Sequence, residues 1–221
     1  ELICRDERVV TPIGGGNLAL KNDRWCRVIV FPFVGGEQLS NLLESEGIEK
    51  PEERVKLCIE IVSAVKSLHN CGFIHGDLCP NNIVVSAKNL AASIVDMEYC
   101  LPINPQEGDV WTTIEQYRGT PGYLEPAVEE SGIRASSILS DIWGLGWVLA
   151  EILNFQEVPT VKNRDWPSFL RKNGSSKTML GPWSSGVGPK VDDVIGRCLK
   201  IDRKLRPGID EIIEKLGECI E

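Results

Sequence analysis

The sequence of 221 residues has little of what marks a nucleic-acid-binding or membrane-spanning protein. It carries 32 acidic residues against 24 basic ones, for a net charge of −8. Such a chain would repel phosphate-rich partners unless its basic residues clustered, and the sequence contains no such cluster. Its longest apolar run, residues 145–150, is too short to cross a bilayer. We therefore expect no nucleic-acid partner and no insertion into a membrane.

The motifs of a zinc site are also missing. The eight cysteines include no C-x-x-C pair and do not cluster with the two histidines. Several, such as Cys58, stand at apolar helix positions, where a thiol acts as a small hydrophobic side chain in a reducing compartment. The first six residues do not join a basic start to an apolar run, so we expect no signal peptide. The expected location is the cytoplasm, with the nucleus as an alternative.

Three polar residues between positions 75 and 96 form the most informative pattern in the sequence. Asn82 follows Asp77 by five residues, and Asp96 closes a short apolar run. Residues 83–85 and 93–95 predict two strands joined by a turn, which would bring Asn82 and Asp96 to one end of a hairpin. Hard oxygen ligands that converge in this way suit magnesium in phosphoryl transfer. Each residue taken singly could equally cap a helix or form a turn.

The N-terminal part predicts two strands, at residues 9–13 and 27–34, joined by a glycine-rich turn and a polar stretch. No helical pattern follows the three glycines at 14–16, so we interpret them as a turn and not as a phosphate-binding loop. Lys21 resembles a strand lysine that pairs with phosphates, but the sequence leaves no room for the helix such a lysine needs. We predict a solvated hairpin lysine there.

Apolar residues at helical spacing predict a mainly helical remainder. The predicted helices cover residues 37–43, 51–72, 140–153, 191–199 and 209–216. Between the second and third of them, residues 97–120 form a long irregular stretch, and such loops are more often functional than accidental. Trp111 in this loop is a candidate contact to a partner.

These motifs together resemble the large lobe of eukaryotic protein kinases over nearly the whole chain. The matching residues are the His75-Gly76-Asp77-Leu78-Cys79-Pro80-Asn81-Asn82 loop, Asp96, Gly119-Thr120-Pro121-Gly122-Tyr123, the Ser140-Asp141-Ile142-Trp143-Gly144-Leu145-Gly146 segment, and Asp202 with Arg206-Pro207. The resemblance implies an α+β fold: a mostly helical lobe with a small catalytic hairpin. Residues 1–34 would be a remnant of the small lobe with the hinge, and residues 35–221 the large lobe.

The resemblance also implies an ATP- and magnesium-dependent transferase that acts on serine or threonine of a protein substrate. Asp77 would be the catalytic base, assisted by Asn82. Asn82 and Asp96 would hold the metal ion, and Phe33 of the hinge would join them in binding the nucleotide.

Departures from the family pattern predict impaired catalysis. A glycine-rich strand pair, a strand lysine and its partner helix are not recognisable upstream. Gly76 replaces an arginine, Cys79 replaces a lysine that contacts the transferred phosphate, and Glu98 replaces the glycine of the Asp-Phe-Gly triplet. Arg206 should pair with a glutamate, for which the sequence offers both Glu125 and Glu129.

Three functions are compatible with these motifs. The first is a serine/threonine protein kinase with Asp77 as base. The second is a pseudokinase, in which the same lobe binds or regulates a protein partner. The third is a small-molecule kinase of the aminoglycoside or choline type, whose motifs resemble His75-Gly76-Asp77. The 119–123 and Asp141 motifs count against the third, because small-molecule kinases lack them.

Overall fold

The computed structural model describes residues 6–19, 25–45, 48–104, 119–132, 135–153 and 186–220. In these residues the fold is α+β and mainly helical, as predicted. The helices are α1 (Leu39–Glu44), α2 (Pro51–Asn70), α3 (Pro126–Ser131), α4 (Ile138–Ile152), α5 (Pro189–Cys198) and α6 (Ile209–Gly217). The strands are β1 (Gly14–Ala19), β2 (Trp25–Val30), β3 (Glu37–Gln38), β4 (Phe73–Ile74), β5 (Ile83–Val85), β6 (Ala92–Ile94) and β7 (Leu101–Pro102).

The strands form three small antiparallel sheets. β1 pairs with β2 as a hairpin, β3-β5-β6 form a second sheet, and β4 pairs with β7. The predicted hairpin at 83–95 is confirmed, with Ile83 opposite Ile94 in register. Both of these residues are fully buried. The sheet therefore fixes the chain on either side of the predicted metal ligands.

Two local predictions near the N-terminus are wrong. The first strand is β1 and not residues 9–13, so the three glycines lie in a strand and do not form a turn. Their conformation is set by pairing with β2. Glycine suits this strand because the partner backbone comes close: a Cβ on Gly15 would stand 2.8 Å from the Val28 carbonyl oxygen. Val9 makes a single parallel bridge to Ile94 instead. Lys21 lies outside the described residues.

The predicted helix at 37–43 begins two residues late, because Glu37 and Gln38 pair with Val85 and Val84 of β5. Gly36 permits this approach, since a Cβ there would collide with the Val85 carbonyl group. The other predicted helices are confirmed within a few residues. Residues 97–104 of the long irregular stretch include β7, while Trp111 lies outside the described residues.

Helix α2 has the start and stop signals that its sequence predicts. Pro51 occupies the first turn, where its missing N–H costs nothing, and Glu52 and Glu53 favour the positive end of the helix dipole. Gly72 follows the last turn with φ +87°. One face of α2 packs into the core. The helix ends at Asn70, close before β4 and the loop at residues 75–82, so its packing fixes where that loop begins.

Helix α4 is the centre of the core. It is buried on nearly all sides, and its two tryptophans, Trp143 and Trp147, pack edge to face with ring centroids 6.3 Å apart. Ser137 and Ser140 form a capping box at its start. No helix in the described segments, α4 included, has both the length and the apolarity to cross a membrane.

Two glycines on α4 allow other segments to come close. A Cβ on Gly144 would stand 3.0 Å from the Leu78 carbonyl oxygen, and one on Gly146 would stand 2.7 Å from Cβ of Cys198. The first contact seats the 75–82 loop on α4, and the second seats the end of α5.

Replacement of Gly146 by alanine should therefore destabilise the protein. The added methyl group would overlap Cys198 in a tightly packed core, which typically costs about 1–3 kcal/mol of unfolding free energy. Urea denaturation measures this. Gly196→Ala in α5 is the matched control, because nothing lies within 4 Å of its Cβ position and alanine favours a helix by about 0.5–1 kcal/mol. Equal stabilities for the two variants would contradict the packing described here.

Candidate active site

The buried carboxylate of Asp141 positions the loop that carries Asp77. It accepts hydrogen bonds from the backbone N–H groups of His75, at 2.8 Å, and Gly76, at 3.0 Å. Nε2 of His69, on the last turn of α2, lies 2.8 Å from the same carboxylate. Asp141 is only 1% exposed, and a buried carboxylate requires such partners. The sequence motif includes Asp141 but does not by itself predict this role.

The backbone at Gly76 explains one departure from the family pattern. Its φ of +81° lies in the left-handed region, which strains any residue with a side chain. Glycine therefore suits the conformation in which the Gly76 N–H points at Asp141. The buried ring of His75 contacts the chain on both sides. Its Nε2 lies 3.1 Å from the Val95 carbonyl oxygen, and its Nδ1 accepts a hydrogen bond from the Asp77 N–H.

Asp77 and Asn82, the two predicted catalytic residues, lie side by side. The amide nitrogen of Asn82 donates to the Asp77 carbonyl oxygen at 2.9 Å and to its carboxylate at 3.2 Å. Thr120 holds the same carboxylate from the other side, through its backbone N–H at 2.6 Å and its hydroxyl at 3.1 Å. The sequence did not predict this contact, although Thr120 belongs to the 119–123 motif. Four hydrogen bonds thus orient a residue that is 9% exposed.

Asp96 lies two residues after strand β6, and the partner strand β5 begins directly after Asn82. The Val95 N–H donates to the Asn82 carbonyl oxygen at 3.0 Å, which joins the two segments next to the predicted ligands. Asp96 has φ +63°, an uncommon conformation for a residue with a side chain and one that concentrates at functional sites. Its Oδ1 accepts from the backbone N–H of Glu98 at 3.3 Å.

The chemistry of these groups fits magnesium with few protein ligands. The Asn82 amide nitrogen is engaged by Asp77, which leaves its amide oxygen as the atom suited to a cation. Together with the Asp96 carboxylate this offers hard oxygen ligands, and magnesium usually completes its shell with water and substrate phosphates. No cluster of three or more His, Cys, Asp or Glu side chains in the described segments could hold a metal ion by itself.

A cavity of about 840 Å³ opens beside Asp96 and is lined mainly by residues 29–34 and 95–100. Its lining includes three phenylalanines, and Asp96 and Glu98 are its only charged side chains among the described residues. Phe33, the predicted nucleotide contact, is among the residues that line this cavity, and its side chain is 96% exposed. The full lining is Val10, Pro12, Ile29, Phe31, Pro32, Phe33, Val34, Phe73, Val84, Val95, Asp96, Met97, Glu98 and Cys100.

Cys79 occupies the position of the lysine that the resemblance predicts. Its thiol is buried, with Sγ 3.3 Å from the hydroxyl oxygen of Thr120. Burial raises the pKa of this thiol to about 11, so it is neutral at physiological pH. The side chain supports Thr120 and brings no positive charge to Asp77.

Glu125 and not Glu129 is the partner of Arg206, which settles the alternative left open by the sequence. Their charged groups are 2.7 Å apart, and both side chains are almost fully buried. Arg203 donates two further hydrogen bonds to Glu125, and Ser140 of α4 donates a third at 2.7 Å. The Arg206 guanidinium also lies 5.0 Å from the centre of the Trp143 ring. The cluster ties the segment after Thr120 to α4.

Burial alone would raise the pKa of the Glu125 carboxyl group. The hydrogen bond from Arg203 and the charge of Arg206 outweigh burial, so the pKa falls below its usual value of 4.5.

The chain belongs to the protein kinase domain family, whose match extends over residues 18–216. This confirms the class indicated by the hairpin, the Asp77 loop and the Asp141 helix.

Similar proteins are serine/threonine-protein kinases of plants, fungi and animals. A leucine-rich repeat receptor-like serine/threonine-protein kinase of Arabidopsis thaliana is 27% identical over 87% of this chain and 23% of its own length. The serine/threonine-protein kinase CHK1 of Saccharomyces cerevisiae is 33% identical over 57% of this chain and 24% of its own. Testis-specific serine/threonine-protein kinase 3 of Mus musculus is 29% identical over 73% and 57%. The chain thus spans about a quarter of the first two proteins.

The pKa of Glu125 predicts a pH dependence of stability. A carboxyl group with a lowered pKa stabilises the folded state above its unfolded pKa, and this contribution is lost as pH falls through the folded pKa. We expect Glu125→Gln to be less stable at pH 7 by about 3 kcal/mol, because Arg206 loses its buried partner. Its stability should then fall less steeply than that of the wild type below pH 4.5.

Urea denaturation from pH 7 to pH 3 measures both effects, with the exposed Glu130→Gln as the control for loss of one negative charge. Parallel pH profiles for the wild type and Glu125→Gln would show that Glu125 does not carry the effect.

Proposed function

We propose that this kinase domain binds ATP with magnesium in the cavity beside Asp96 and transfers phosphate to serine or threonine of a protein substrate. The observation that carries this proposal is the shared network of Asp77, Asn82 and Thr120, which orients a base-like carboxylate next to the strand that leads to Asp96. The similar proteins are named as serine/threonine-protein kinases, which supports a protein substrate over choline or an aminoglycoside.

The residues divide the chemistry between them. Phe31, Phe33 and Phe73 offer apolar and aromatic surface to a flat base. Asn82 and Asp96 would hold a magnesium ion, which when bound neutralises the charge on the phosphates. Asp77 would accept a hydrogen bond from the substrate hydroxyl group and orient it, while Thr120 fixes the rotamer of the Asp77 carboxylate.

We also propose that catalysis by this chain is weak. The described cavity lining offers no lysine or arginine to the phosphates, and the neutral Cys79 thiol stands where a cation would contact the transferred group. Each missing electrostatic contact of this kind reduces the rate by about a hundredfold or more.

A second function, as a regulatory module that binds a protein, is supported by the β1–β2 hairpin. Both of its strands are largely exposed. Trp25 at one end of the hairpin is 70% exposed, and Ile13, which precedes β1 at the other end, is 69% exposed. Exposed apolar side chains along a hairpin suit a protein contact. The cysteines of the described segments are all free thiols, which supports a reducing location such as the cytoplasm or nucleus.

Variants of the two aspartates should separate binding from turnover. Asp96→Asn should weaken ATP binding measured with magnesium about tenfold or more, since it removes the single carboxylate ligand. Asp77→Asn should bind ATP normally and lose most of any phosphate transfer to a generic protein substrate, measured by radiolabel incorporation. Asp193→Asn on α5 is the surface control. Unchanged ATP binding in Asp96→Asn would contradict the assigned metal site.

Replacement of Cys79 by lysine tests the cause of weak catalysis. An ammonium group beside Asp77 should raise the rate of phosphate transfer about tenfold or more, because it supplies charge stabilisation to the transferred phosphate. Cys79→Met adds similar length without charge and should leave the rate low. If both variants fold and transfer phosphate at the wild-type rate, the missing cation is not what limits turnover.

A further inference from the structure

The cavity lining combines two kinds of side chain. Phe31, Phe73 and Val84 contribute apolar surface, and Asp96 and Glu98 contribute the charged groups. The turn between the two acidic residues keeps them together, because the Glu98 N–H donates to the Asp96 carboxylate at 3.3 Å. Both side chains are exposed to solvent, so both carboxylates are open to a ligand that enters the cavity.

We propose that Glu98 makes nucleotide binding by this chain depend on a divalent cation, so that the cavity accepts uncharged nucleosides and magnesium-bound ATP but discriminates against metal-free ATP. This inference rests on the nucleotide site proposed above and assigns a role in specificity to a residue that the proposed catalytic step does not use.

Charge is the physical basis of this selection. Triphosphate oxygens placed near Asp96 would meet a second negative side chain at Glu98, and no cation of the described lining offsets it. Like charges a few ångströms apart repel, and at an exposed site the repulsion is reduced but not abolished by solvent. A magnesium ion held with the phosphates inverts the local charge, so the same carboxylates then attract the ligand.

An uncharged nucleoside isolates the contribution of the apolar lining. It presents the base to the phenylalanines but no phosphate to Glu98, so its affinity should not depend on magnesium. Glutamine at position 98 keeps the length of the side chain and removes its charge, whereas Glu98→Asp keeps the charge.

Isothermal titration calorimetry of the whole chain tests this with three probes: adenosine, ATP with a chelator, and ATP with magnesium. The wild type should bind adenosine equally with and without magnesium and should bind ATP about tenfold more weakly without it. Glu98→Gln should strengthen metal-free ATP binding about three- to tenfold and leave adenosine unchanged. Glu98→Asp and the distant Glu130→Gln should keep the wild-type ratio of ATP affinity with magnesium to ATP affinity without it. High salt should bring this ratio closer to one in the wild type.

The outcomes are distinct. If Glu98→Gln leaves the ratio of ATP affinities with and without magnesium unchanged, the role of Glu98 is overturned while the nucleotide site stands. A change in adenosine affinity in Glu98→Gln shows that the residue acts through the shape of the cavity, which also overturns it. If neither adenosine nor magnesium-bound ATP binds the wild type, the proposed nucleotide site itself fails and the selection by Glu98 fails with it.

Discussion

A single buried carboxylate holds the functional part of this molecule in place. Asp141 sits on the most buried helix of the core and accepts two backbone N–H groups from the loop that carries Asp77. Leaving a buried carboxylate without its donors costs more free energy than an ordinary hydrogen bond contributes. The loop is therefore fixed where its backbone satisfies Asp141, and the positions of Asp77 and Asn82 follow from that constraint.

The same constraint explains which residues the site can tolerate. Gly76 adopts a left-handed backbone conformation as it donates to Asp141, and Gly144 lets the Leu78 backbone rest on α4. Glu125, Arg206 and Ser140 then fasten the segment after Thr120 to the same helix. The loop and the 119–125 segment are thus both held against α4, and the hairpin joins the loop through the hydrogen bond from the Val95 N–H to the Asn82 carbonyl oxygen.

The sequence predicted those parts of the fold that depend on local pattern. Helices α2 and α4, and the hairpin that leads to Asp96, follow from apolar periodicity and end signals. The pairing of Asp77 with Asn82 could be anticipated because the two residues are five positions apart. Glycines 14–16 were assigned wrongly, since their strand arises from pairing with β2, which no local propensity encodes. The contacts of Thr120 with Asp77 and of Glu125 with Arg206 join residues far apart in sequence, so spacing could not decide them.

The proposed magnesium site requires that Asn82 and Asp96, held in place through Asp141, share one nucleotide-bound cation. Manganese is a paramagnetic substitute for magnesium, and it broadens the NMR signals of nearby amides. With ATP and substoichiometric manganese, we expect the broadening to centre on the amides of Asn82 and Asp96 and to spare the acidic residues of α5 and α6. Broadening centred on those helices, or none at the two predicted ligands, would contradict it.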